Sequence, residues 1–232
     1  MTALAVNERA RAFKAISPGM LPPLSVVFAL LVGFLAAQAW SDADRAHGAV
    51  NREASALRAV VILAGAFPGD TEAHLRDLVR GHIQDAVSVE WPAMSHQAAT
   101  LTIVPPRLAE SLKLVLALDP HGDGQSAAQR ELVQALGGAL DARRQRIILS
   151  ESSINWVKWV VLFAQAALML LCIAMIHSDN RSTNRIILAI FATSVGVAVV
   201  LVASHSRPFS GQLAVTPAVL LQVMPEESVP DR

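Results

Sequence analysis

INWVKWVVLFAQAALMLLCIAMI (Ile154–Ile176) and IILAIFATSVGVAVVLVA (Ile186–Ala203) are two apolar runs joined by a short polar connector, His177–Arg185. A helix needs about 20 mostly apolar residues to cross a hydrocarbon core of about 30 Å, and each run reaches that length. The pair reads as a transmembrane hairpin. Composition agrees, since only 16% of the 232 residues are charged, 53% are hydrophobic and the mean hydropathy is +0.43. Charged residues make up about 25% of a typical soluble domain. The chain reads as an integral membrane protein.

Formal net charge is zero, so no overall field recruits nucleic acid, and partners must be argued locally. The single cysteine, Cys172, falls inside the first apolar run as a small packing residue, so no disulfide framework gives a compartment.

Outward from the hairpin, a third apolar run covers Leu24 to Trp40, with Trp40 where a ring would lie at headgroup level. The segment before it, residues 1–20, carries Arg9, Arg11 and Lys14 and ends in Ser17-Pro18-Gly19, which predicts a helix break. A secretory signal is the rival reading, because Ala37-Gln38-Ala39 has the small-x-small cleavage pattern. The run exceeds the usual signal core, which favours a retained anchor over residues 21–40.

Between residues 41 and 153 the composition becomes that of a soluble helical region. Ala46, Ala49, Val50, Leu57, Val60, Val61 and Ala64 recur at helical spacing, and Glu53 falls on the same face. A carboxylate on a buried stripe must be paired or must face a polar cavity. Arg52, Arg58 or an arginine of another helix would serve the first case. Leu75, Leu78, Val79, Ile83, Ala86 and Val87 mark the next helix after the Pro68-Gly69-Asp70-Thr71 turn, and Pro92 predicts its end at Glu90-Trp91-Pro92. A third helix opens at Pro105-Pro106. A fourth, long one runs to about Ser150 from Ser126-x-x-Gln129, which has capping-box spacing.

These elements predict an all-α integral membrane protein. It has transmembrane helices over 21–40, 154–177 and 186–204, a helical extramembrane region over 41–153 between the first and second, and a C-terminal turn, short helix and tail over 205–232. Arg207-Pro208-Phe209-Ser210-Gly211 stops the last span, and Thr216-Pro217 caps a short helix, Ala218 to Met224.

The chemical motifs are weak. Asp119-x-His121-x-Asp123-Gly124 begins like a calcium loop, but its twelfth position is Arg130 where a bidentate glutamate is required, so it reads as ordinary loop chemistry. The seven histidines include no i, i+4 pair. Hydrolase, phosphate-loop and dinucleotide motifs are missing, so neither a cofactor nor an enzymatic activity is implied. Arg143-Arg144-x-Arg146, with Lys158 just inside the next span, is a basic cluster of the kind that marks the cytoplasmic face or touches anionic headgroups. Near span ends, Arg45, Arg52, Arg58, Arg143, Arg144, Arg146 and Arg207 stand on one side, against Arg9, Arg11, Lys14, Arg181 and Arg185 on the other. That balance places 41–153 in the cytoplasm, whereas the basic N-terminus argues for the reverse.

Four motifs carry a resemblance: Asn51-Arg52-Glu53-Ala54-Ser55-Ala56-Leu57, Glu90-Trp91-Pro92, Ala142-Arg143-Arg144-x-Arg146, and Arg207-Pro208-Phe209-Ser210-Gly211. In this order and spacing, over residues 24–225, the chain resembles the bestrophin-like family of bacterial membrane proteins, a family of unknown function with a distant likeness to bestrophins, which are pentameric chloride-permeable channels. The resemblance implies a multi-pass protein of the bacterial inner membrane, a homo-oligomer in the lipid bilayer, and an ion channel or transport-like activity with an anion as the permeant species. It marks Arg52, Glu53, Glu90, Trp91, Pro92, Arg143, Arg144, Arg146, Arg207, Pro208, Phe209 and Gly211 as family-motif or pore-region residues. Longer members look to have an additional N-terminal span, so three spans stand here against four in bestrophins. The acidic calcium clasp of animal bestrophins has no counterpart.

Two functions follow as expectations. In a channel, Glu53 with Arg52 or Arg58 would line a cavity and set charge selection. In a membrane-anchored scaffold without transport activity, the amphipathic helices would dock a partner. A further expectation is that Arg207 and the Arg143–Arg146 cluster supply counter-charges for Glu53 and Glu90 in one membrane-proximal layer.

Overall fold

The computed structural model describes residues 2–152, 154–176 and 181–226, with side chains from Gly19 onward. The elements are α1 (Thr2–Ala64), α2 (Asp70–Asp85), a π-helical turn (Ala86–Glu90), α3 (Trp91–Ser95), α4 (Pro106–Leu116), α5 (Asp123–Glu151), α6 (Trp156–Ile176), α7 (Arg181–His205) and α8 (Ala218–Gln222). No strand occurs among the described residues. The chain divides into two compact units, Met1–Ser41 with Ser153–Ser206, and Asp42–Ser152 with Arg207–Arg232.

The first unit holds the apolar helices. Three helices are long and apolar enough to cross a membrane, within Gly19–Ala64, Trp156–Ile176 and Arg181–His205. At 1.5 Å per residue α1 is roughly 95 Å long, about three times the hydrocarbon thickness, so only its apolar part, Leu24 to Trp40, belongs in lipid. Leu35, Ala36, Ala39, Ile154, Leu162 and Val202 close the interior of this unit. Phe34, Val160, Ile190 and Val197 face outward. Outward apolar side chains are the solution for a helix whose solvent is hydrocarbon. Near the chain's polar boundaries, Lys158 Nζ donates to Gln38 Oε1, and Trp40 meets the His205 ring edge-on at 6.4 Å.

The second unit is a helical body around a core that includes Leu57, Leu75, Ile83, Leu108, Leu132 and Leu136. The stripe on α1 is buried there at Ala46, Ala49, Val50, Leu57, Val60 and Ala64, while Val61 is half-buried.

Several boundaries differ from the sequence reading. The helix does not break at Ser17-Pro18-Gly19; α1 runs through these residues and through Pro22-Pro23. A proline removes one backbone hydrogen bond, and a helix of this length keeps the rest of its ladder on either side of it. Nor does a helix end at Glu90. The chain widens into the π turn, Trp91 keeps helical dihedrals, and α3 continues through Pro92 to Ser95. The Trp91 N–H reaches back to the Ala86 carbonyl, five residues away, so the ladder opens where the proline ring would otherwise press on it. The capping box is not formed. Helix α5 starts earlier, at Asp123, where Ser126 Oγ donates to the Gly122 carbonyl and Gln129 Nε2 donates to the Val115 and Leu118 carbonyls. Helix α8 stops at Gln222, two residues short of Met224. The connector residues His177–Asn180 and the tail beyond Glu226 lie outside the described residues.

Candidate functional site

Four elements of the second unit converge on one buried ionic network. Helix α1 brings Glu53, which shares a face with Val50, Ala54 and Leu57 and is therefore carried into the core. Helix α2 brings His82, on the stripe of Leu75, Leu78, Val79 and Ile83. The π turn ends at Glu90. Helix α5 supplies Arg143 and Arg146, three residues apart and thus on one face, with Arg144 turned outward and exposed.

Arg146 is the hub. Its Nε donates to Glu53 Oε2 at 2.7 Å, and its Nη2 donates to Glu53 Oε1 at 3.1 Å and to Glu90 Oε2 at 2.8 Å. Its Nη1 lies 3.6 Å from Met94 Sδ, and its guanidinium carbon stands 4.7 Å from the centre of the Trp91 ring. The planar fork is thereby used on both edges and on one face. Arg143 grips the other side of Glu90, with Nε at 2.7 Å and Nη2 at 2.6 Å from Oε1, and its Nη2 also reaches the Ile103 carbonyl at 3.4 Å. His82 Nε2 lies 3.0 Å from Glu53 Oε1 and is the donor in the tautomer protonated there.

Glu53 and Arg146 are fully shielded from solvent, while the Glu90 side chain keeps 17% exposure. Two carboxylates face two guanidiniums, so the network is neutral when His82 is neutral. Burial alone would raise the Glu53 pKa, but the Arg146 charge and the hydrogen bonds from His82 and Arg146 outweigh it and hold the carboxyl below its ordinary value. Burial would lower the Arg146 pKa, yet the charges and hydrogen bonds of Glu53 and Glu90 prevail and raise it. Glu53 is therefore an ionised, satisfied structural anion, and not the free carboxylate of an open cavity.

The C-terminal motif joins through Trp91. Its indole Nε1 donates to the Val215 carbonyl at 3.0 Å, and its ring meets Phe209 edge-on, 5.8 Å between centres. Val215 N–H donates in turn to the Pro208 carbonyl at 2.8 Å, and Ser210 Oγ donates to the Ser95 carbonyl at 2.6 Å. Gly211 follows with φ at 89°, in the left-handed region.

Of the twelve residues marked from the sequence, Glu53, Glu90, Trp91, Arg143, Arg146, Pro208 and Phe209 come together here. Arg207 does not: it is exposed, and the ion pairs of both glutamates run to Arg143, Arg146 and His82. Arg52 is also exposed and donates to Gln145 Oε1. Pro92 is exposed and acts on the backbone. The sequence reading missed His82 and Met94. A signal for His82 exists, because positions 75, 78, 79, 82 and 83 form one helical stripe.

Two comparisons with known proteins give matches. The model of a family described as Bestrophin-like domain matches residues 1–220. Solved structures with this fold include a bacterial bestrophin homologue from Klebsiella pneumoniae. Two single-substitution variants of it align at TM-score 0.63, 13% identity, covering 89% of this chain and 84% of that one, and at TM-score 0.62, 14% identity, covering 89% and 86%. Its form solved by Zn-SAD phasing aligns at TM-score 0.61 and 13% identity, covering 89% and 84%. At such identities the likeness establishes the fold. No curated protein sequence matches significantly.

Proposed function

Because the chain belongs to the Bestrophin-like family, we propose that this membrane protein is a homo-oligomeric channel of the bacterial inner membrane that passes small anions. Channel activity is what the resemblance to bestrophins implies. The observation that carries the reading is the filled interior of the membrane unit: Leu35, Ala39, Leu162 and Val202 occupy the space between its helices. Such an interior offers an ion no polar lining, so in this reading ions pass between copies arranged around an axis.

In this reading the network of Glu53, His82, Glu90, Arg143 and Arg146 is the fastening of the extramembrane unit, and charge selection falls to exposed cations. Arg52, Arg58 and Arg144 are exposed on α1 and α5. Repeated in each copy, Arg52 forms a ring of positive charge of the kind that favours anions.

Reconstitution of the purified protein in liposomes tests the proposal. Chloride flux above empty liposomes is expected, with the chloride preference lowered in Arg52→Glu. No flux of chloride or any cation from a correctly folded oligomer would overturn it and favour the membrane-anchored scaffold. A monomer in detergent that co-purifies with another protein would do the same.

A further inference from the structure

Beside the ionic network lies a cavity of about 220 Å³. Val89, Ala93, Ala99, Ile103, Pro105 and Ile147 give it mostly apolar walls, of which Val89 and Ile103 are exposed, and Glu90, Arg143 and His82 form its polar end. Asp85 and Thr100 line it as well and are solvent-accessible, so the cavity opens on that side. An engineered apolar cavity of about 150 Å³ holds benzene, so this one has room for a ring with a substituent. Apolar walls around a few convergent polar groups are the usual make-up of a small-molecule site.

The polar end restricts what can enter. Each guanidinium of the network is already matched by a carboxylate, and Asp85 at the open side is paired with Arg107, so a ligand carrying a full charge at the polar end would be desolvated with no counter-ion of its own. Hydrogen-bonding capacity remains on both signs. Glu90 Oε1 accepts from Arg143 twice, whereas Oε2 accepts only from Arg146. The bonds of Arg143 use Nε and Nη2, which leaves the two N–H groups of Nη1 as further donors. A neutral group that accepts from an N–H or donates to the carboxylate at this end needs no counter-ion.

We propose that this cavity binds a small neutral molecule with an apolar ring or branched chain and one donor–acceptor group, of the amide or alcohol class, held at the end formed by Glu90, Arg143 and His82. The site lies wholly within the extramembrane unit and does not depend on the protein being a channel.

The probe is benzamide, titrated calorimetrically into the protein in nanodiscs with empty nanodiscs as the blank. Benzoate and benzylammonium serve as charged analogues of similar size. Saturable benzamide binding is expected, at least tenfold tighter than that of either analogue. It should weaken at least tenfold in Ala93→Phe, which fills the cavity without touching its charges. Ala98→Phe, on the same lining but at an exposed position, replaces it if Ala93→Phe fails to fold. The proposal is overturned by wild-type protein that shows no saturable benzamide binding, by a charged analogue that binds as tightly, or by folded cavity-filling variants that bind as the wild type does.

Discussion

Arg146 holds the Glu53 carboxylate from 93 positions away in the chain, through bonds of 2.7 and 3.1 Å, with neither side chain reaching solvent. This pairing ties α5 to α1 through a medium in which an unpartnered charge is costly. It also settles what each charge can do. A guanidinium that spends Nε and Nη2 on Glu53 and Glu90, lies against Trp91 and is closed off from solvent is out of reach of a passing ion.

The first prediction concerns this pair. Glu53→Gln and Arg146→Gln each leave the buried network with one uncompensated charge, a loss of about 3–5 kcal/mol. The double substitution should cost less than the sum of the two, because it removes both charges together. Arg207→Gln, at an exposed position, should change stability by only about 0.5 kcal/mol. Equilibrium unfolding of the four variants in detergent measures all three statements. A loss in Arg207→Gln equal to that in Arg146→Gln would refute the assignment of counter-charges.

The second concerns pH. The folded Glu53 pKa lies below its ordinary value of 4.5, so the unfolded chain binds this proton more readily than the folded one. Stability from the pair is then fully present above about pH 4.5 and is lost as pH falls through the folded value. The melting temperature should be steady from neutral pH down to that point and then drop. In Glu53→Gln this part of the drop should be missing. A Glu53→Gln profile parallel to the wild type throughout would contradict the shift.

How far the sequence foretold this site depends on the kind of signal each residue carries. Glu53 was legible because a carboxylate interrupts a regular apolar stripe, and Arg143 with Arg146 because they stand in a basic cluster beside a span. The partner choice was legible for the Arg143–Arg146 cluster and misleading for Arg207. Arg207 sits in a charged motif as conspicuous as the others, and only the path of the chain after α7 leaves it in solvent. Periodicity also cannot register the π turn. One extra residue per turn re-aims Glu90 and Trp91 while leaving the apolar pattern of α2 intact, so Pro92 reads as a stop when the chain continues. The spans were the most legible feature, since a hydrocarbon solvent imposes length and apolarity directly.

The third prediction tests how the C-terminal segment is held. Trp91→Phe keeps the contact with Phe209 but removes the donor to the buried Val215 carbonyl. A buried acceptor left without its partner costs about 1–3 kcal/mol. The loss should appear locally, as faster amide hydrogen exchange at Val215 and through Ala218–Gln222, with the exchange of α6 unchanged. Uniform acceleration across all helices would instead mean that Trp91 supports the whole fold.

The fourth turns on one backbone angle. Gly211 has φ at 89°, and a Cβ placed there would meet nothing within 4 Å. Space is therefore not the constraint, and any penalty for a side chain comes from the left-handed backbone itself, about 1–2 kcal/mol for an ordinary residue. Gly211→Val should pay this in full and more, being β-branched, whereas Gly211→Asn should pay less, because asparagine tolerates this region. The turn precedes Val215, whose N–H bonds the Pro208 carbonyl and whose carbonyl receives Trp91. Destabilisation in Gly211→Val should thus loosen Trp91, seen as a red shift and increased quenching of tryptophan fluorescence in a variant where Trp40, Trp156 and Trp159 are replaced by phenylalanine. Equal stability of the valine and asparagine variants would show that the turn relaxes to another conformation.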